Sequence, residues 1–112
     1  MIISLDSNKV VKYQSKSDTG SDPTLFLLGV ISHKDMLELQ SEWTEKNSGT
    51  TTYKIVKKGL KGWENFKDSN NKNVEFKYND ESCLENIPLN ILIELGNEII
   101  KLNVLSELDK KN

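Results

Sequence analysis

From its amino terminus the chain opens with two short apolar patches, IISL at 2–5 and VVKY at 10–13, separated by Asp6-Ser7-Asn8, residues that tolerate tight turns. This pattern predicts two strands joined as a hairpin. Residues 14–22, QSKSDTGSD, are polar, glycine-bearing and without periodicity, which predicts a flexible surface loop. The continuous apolar run PTLFLLGVIS follows. Pro23 stands where a missing ladder donor costs least, and residues 25–31 are expected to form a central strand covered on both faces.

Ser32 placed three residues before Asp35 predicts a helix start, the hydroxyl capping an orphan N–H and the carboxylate sitting well in the first turn. Met36, Leu39, Gln40 and Trp43 then share one helical face, flanked by Leu37, and Asn47-Ser48-Gly49 predicts the stop. A second helix is expected over 51–61, because Tyr53, Val56, Leu60 and Trp63 recur at helical spacing, with a strand over 51–56 as the alternative. Gly62 is read as the helix stop and Gly59 as a point of close approach. VEFKY at 74–78 alternates apolar and polar residues and predicts a half-buried strand. Residues 80–86 are read as a connector, and Pro88 suits the first turn of a last helix, IPLNILIELGNEIIKLN. Residues 109–112 are expected to fray. Together these elements predict one α+β domain over 1–112, with a small, mainly antiparallel sheet of three to four strands packed against three helices.

Composition narrows the function classes. The 112 residues carry 15 Lys and Arg against 17 Asp and Glu, a formal charge of −2 that gives no bulk drive toward nucleic acid or anionic lipid. One cysteine, Cys83, excludes an internal disulfide, and with one histidine, His33, it leaves little for a transition metal. Neither a leader-like apolar segment nor a membrane span is expected, so a cytoplasmic setting fits.

No constellation of residues points to catalysis or a cofactor. The loop from Asp68 lacks the glycine and glutamate that a calcium-binding helix–loop–helix requires, Asn73 and Asn79 standing in their places. GLKGW lacks the strand–glycine–helix order of a phosphate cradle. His33 and Cys83 form no recognisable nucleophile–base pair. Lys54, Lys57, Lys58 and Lys61 form a basic stripe on the expected second helix, read first as a solvated face and second as a surface for an acidic partner or nucleic acid. Trp43, Trp63 and Phe66 read as core or interface anchors rather than a stacking platform. The last helix carries two apolar stripes: Leu92, Leu95, Ile99 and Leu102 on one face, and Leu89, Ile93 and Ile100, with Gly96 set among them, on a second. The second stripe is either buried between other elements or offered to a partner.

DPTLFLLGVISHKDMLELQ, GLKGWENFKD and IPLNILIELGNEIIKLNVLSEL together resemble a family of small proteins encoded in tailed-bacteriophage and prophage structural gene clusters. The similarity spans about residues 22–108, and GLKGWENFKD is its distinctive part; SNNKN stands where the family has a shorter, glycine-bearing turn. The resemblance implies a non-enzymatic role in virion assembly, most like the tail assembly chaperones, which hold the tape-measure protein in the host cytoplasm while the tail tube grows. The alternatives it leaves open are a structural virion component (head–tail joining or decoration) and a small nucleic-acid-binding regulator. On the chaperone reading, Trp63, Phe66, Leu89, Ile93 and Ile100 are the candidate partner contacts.

Overall fold

A computed structural model describes residues 1–2, 4, 6, 8–43 and 48–105. Its architecture is α+β, as expected from the sequence. Strands β1 (Val10–Gln14), β2 (Leu25–Gly29) and β3 (Leu60–Glu64) form one antiparallel sheet in the order β1-β2-β3. Helix α1 (His33–Glu42) follows β2, and α2 (Ser48–Gly59) runs directly into β3. A one-turn helix α3 (Glu81–Leu84) precedes α4 (Leu89–Ile100), which continues as a π-helical turn, Lys101–Leu105.

Several elements form for the reasons read in the sequence. The Ser32 hydroxyl accepts a hydrogen bond from the Asp35 N–H at 3.2 Å and starts α1. Pro88 also marks the start of α4, but one position before the first turn expected for it, at the N-cap, where its carbonyl accepts from the Leu92 N–H. In β2, Phe26 and Leu28 point into the core and are nearly fully buried.

Other elements differ from expectation. The third strand is residues 60–64, not 74–78. Gly62 therefore does not end a helix; it lies in β3 opposite Leu27, whose side chain a Cβ there would approach to 3.1 Å. Residues 51–56 are helical, and the alternative strand is excluded. Residues 74–77 have no regular secondary structure and Tyr78 begins a turn, so they join no ladder: the Val74 carbonyl accepts from the Trp63 indole and the Lys77 N–H bonds the Cys83 sulfur. In the stretch expected as a strand at 2–5, Ile2 and Ser4 are not in a strand, and Ile3 and Leu5 lie outside the described residues. β1 pairs with β2. Of the helix stop expected at 47–49, Asn47 lies outside the described residues, whereas Ser48 and Gly49 open α2 and α1 already ends at Glu42; the frayed tail at 109–112 lies wholly outside them. The connector at 80–86 contains α3, capped by Asp80 through the Ser82 N–H at 2.9 Å. Nor is β2 covered on both faces: Leu25 and Leu27 are half-buried, and Lys12 reaches Glu64 across that outer side at 3.1 Å.

The core lies between the inner sheet face and the helices, centred on Leu28, Val56, Leu60, Leu95 and Ile99. Two glycines let α2 and α4 cross closely. A Cβ on Gly96 would stand 2.5 Å from Thr52 Cγ2, and one on Gly59 would stand 2.5 Å from Ile99 Cγ2. Two polar latches close the ends of the fold. Asn103 donates to the Gly29 and Ile99 carbonyls and accepts from the Ile31 N–H at 2.8 Å, tying the turn after α4 to the end of β2. At the other end, Glu94 of α4 accepts from the Tyr13 hydroxyl, the Ser15 hydroxyl at 2.9 Å and the Lys16 N–H at 3.0 Å. The polar loop expected at 14–22 is thus anchored at its start.

Candidate functional site

The distinctive segment GLKGWENFKD forms a structural corner. Trp63 stands at the centre of four rings, with edge contacts to Phe66 at 4.8 Å, Phe76 at 4.9 Å and Phe26 at 6.5 Å between centroids. Its indole N–H donates to the Val74 carbonyl at 2.7 Å. Asn65 adopts the left-handed region at φ 58°, and its amide donates to the Asp22 carbonyl while its carbonyl accepts from the Thr24 hydroxyl. Asp68 accepts from the Asn70 and Lys72 N–H groups and closes the turn after Phe66. Asn71, at φ 62°, takes the left-handed position that glycine would ordinarily fill. Trp63 and Phe66 are half-buried within this cluster, so much of each ring is committed inside the fold.

The basic stripe is divided by the structure. Lys54 pairs with Glu42 of α1 at 2.8 Å and Lys57 with Glu81 of α3 at 3.1 Å. Asp35, Glu38 and Glu42 border the same cleft as Lys54, Lys57 and Lys58, so acidic and basic helix faces meet within the molecule. Lys61 is not on the helix at all. It lies in β3, with its ammonium over the Tyr78 ring at 4.7 Å from the centroid.

The second stripe of α4 is also divided. Leu89 is 70 % exposed and Ile93 47 % exposed, whereas Ile100 is half-buried and turned toward α1 and α2. There it forms part of an apolar groove of about 260 Å³ with Met36, Leu39 and Gln40 of α1, Trp43 at the C-cap of α1 and Ile55 of α2. Met36, Leu39 and Gln40 stand at i, i+3 and i+4 on one helical face, and Trp43 follows them at the extended C-cap. That face is not closed over by the rest of the described fold: Trp43 at its end remains 44 % exposed. The sequence marked every α1 member of this face. It gave no sign that Ile55 and Ile100 join it, because those contacts depend on how the helices cross.

Cys83 is buried, its thiol directed at the Glu75 carbonyl and accepting from the Lys77 N–H. His33 is exposed at the first turn of α1. Among the described residues no group of three or more His, Cys, Asp or Glu is placed to hold a metal ion, and no helix is long and apolar enough to cross a membrane. Glu94 is a carboxylate held between opposing influences. Burial, the largest single influence, raises its pKa, but the bonds from Tyr13, Lys16 and Ser15 and the Lys16 charge together hold it below the ordinary value. Burial first, and then Glu94, push the Tyr13 hydroxyl well above its usual range.

No family model, no curated protein and no solved structure matches the chain.

Proposed function

We propose that the chain is a non-enzymatic protein-binding domain and that the groove between α1, α2 and α4 is its docking surface. The groove itself carries this reading. Five of its six lining side chains are apolar, and a half-exposed tryptophan stands at its end. An apolar stripe on a partner's helix suits such a groove, its anchors recurring at i and i+3 or i+4, while Gln40 supplies a hydrogen-bonding group at the wall. Each aliphatic or aromatic anchor buried there contributes about 1.5–3 kcal/mol, from which the cost of association is subtracted. A groove of this size holds a few anchors and releases them, as a chaperone must.

The resemblance of GLKGWENFKD to small tailed-phage proteins names the partner as a tape-measure protein and the role as that of a tail assembly chaperone in the infected cell. That naming rests on the resemblance alone. Pairing of Lys54 with Glu42 and of Lys57 with Glu81 weighs against nucleic acid as the partner. The test is co-expression with the tape-measure protein encoded beside the gene, followed by pull-down. Co-purification is expected for the wild type and for Ile93→Lys, and is expected to fail for Trp43→Glu. Failure of the wild type to co-purify when both proteins are soluble would end the proposal. A structural virion protein would instead remain in purified particles, from which a chaperone is absent.

A further inference from the structure

Two of the four stripe lysines are neutralised by carboxylates, and the other two border a single hollow. Its volume is about 400 Å³, within the roughly 300–1,000 Å³ typical of small-molecule sites. Val30 and Ile31 give it an apolar wall, Lys58, Lys61 and Tyr78 line another side, and His33 and Asp35 stand at the α1 side.

Lys61 is built into its position. Its stem runs past Gly29, where a Cβ would come within 2.6 Å of Lys61 Cγ, so the missing side chain leaves room for the lysine. Its ammonium donates to the Lys58 carbonyl at 3.0 Å and to the Tyr78 hydroxyl at 3.2 Å, and that hydroxyl donates to the same carbonyl at 2.9 Å. Two of the three ammonium N–H groups are thereby engaged, and one is left for a ligand. A lysine already fixed in this way loses less freedom on binding than an unrestrained surface lysine. Lys58 takes part in none of the ion pairs among the described residues. Among the lining residues Lys58 and Lys61 are cationic and Asp35 is the one carboxylate, so the lining is net positive beside an apolar wall, and Lys58 also borders the cleft that Glu38, Glu42 and Glu81 line.

We propose that this hollow binds a small organic anion, a carboxylate or a phosphate monoester. Its charged group lies between Lys58 and Lys61, and its carbon skeleton lies against Val30, Ile31 and the half-exposed Tyr78 ring. Both acid types share the chemistry that two ammonium groups recognise, several acceptor oxygens on one negative centre.

The experiment is a titration of the 15N-labelled protein with benzoate and, separately, phenyl phosphate, at constant ionic strength balanced with sodium chloride. Saturable shifts at Val30, Lys61 and Tyr78 are expected with at least one of them, and the stronger binder identifies the acid. The Lys58→Met/Lys61→Met double variant, which keeps both stems, is expected to bind at least about tenfold more weakly. Lys54→Met, whose ammonium pairs with Glu42, is expected to bind as the wild type does. Non-saturating shifts of the wild type with both probes would overturn the proposal, whether or not the double variant folds. Undiminished binding by a folded double variant would overturn it equally.

Discussion

Replacing Trp63 separates a structural corner from a binding surface. The indole N–H bond to the Val74 carbonyl, at 2.7 Å and partly buried, is lost in Trp63→Phe, a change that costs about 1 kcal/mol for an ordinary intramolecular hydrogen bond. The smaller ring also loses part of the edge contacts to Phe66 and Phe76, now 4.8 and 4.9 Å between centroids, each worth about 0.5–1.5 kcal/mol when intact. With part of those contacts kept, the total is about 2 kcal/mol. Trp63→Ala removes the ring altogether, and a core tryptophan truncation costs about 3–5 kcal/mol, with the half-buried position placing this one toward the lower end. Against a native stability of about 5–15 kcal/mol, either loss is readily measured by urea unfolding. With a slope of about 1–3 kcal/mol per molar urea, Trp63→Phe should lower the midpoint by roughly 1 M. Trp43→Phe, at the exposed end of the groove, should move it far less. A Trp63→Phe midpoint equal to that of the wild type would refute the structural account of the corner and return Trp63 to the role of an exposed contact.

Other perturbations report on the helix crossing, the latch and the turn. Gly59→Ala drives a methyl to within 2.5 Å of Ile99 Cγ2 and should cost about 1–3 kcal/mol by overpacking; Gly49→Ala, with open space around it, should leave the urea midpoint equal or raise it. The Glu94 carboxylate has a folded pKa below its unfolded one, so its stabilisation is complete above the unfolded value and is lost as pH falls through the folded value. The stability gap between wild type and Glu94→Gln should therefore be widest near neutrality and shrink below about pH 4; a gap that does not change with pH contradicts the latch. Tyr13 shifts the opposite way, so its contribution should persist up to its ordinary pKa of 10.0 and be lost at higher pH, as alkaline unfolding of Tyr13→Phe against wild type would show. Asn71→Gly should be tolerated because the residue sits at φ 62°, whereas Asn71→Val should cost roughly 1–2 kcal/mol in the same urea assay.

What the sequence made legible, and what it hid, follows from how local each signal is. The Ser32 cap, the Pro88 start of α4 and the buried side of β2 depend on residues within a few positions, and all three stand in the structure. The third strand was concealed by a β-bulge. Leu60 and Trp63 are three apart, a helical spacing, and in a regular strand they would face opposite ways. The register shift opposite Leu27 and Leu28 admits Lys61 as an extra residue and brings both side chains to the inner face. VEFKY shows the reverse case: it alternates as a strand does, yet only its Val74 N–H bonds a neighbouring backbone carbonyl, that of Phe66, while other backbone groups bond the Trp63 indole and the Cys83 sulfur, which no periodicity encodes. The Asn103 and Glu94 latches are single polar residues bonded to partners more than seventy positions away. For the same reason the groove and the hollow emerged only with the packing of helices and sheet, although most of their residues had already been singled out one by one.

The central claim, that the groove of α1, α2 and α4 receives a partner helix, is tested most directly by site-specific photo-crosslinking from Gln40 at the groove wall during co-expression with the tape-measure protein. A crosslinked species from position 40, and none from Lys12 on the outer face of the sheet, is the expected result. Co-purification that persists while position 40 gives no crosslink and Lys12 does would place the contact elsewhere and contradict the account.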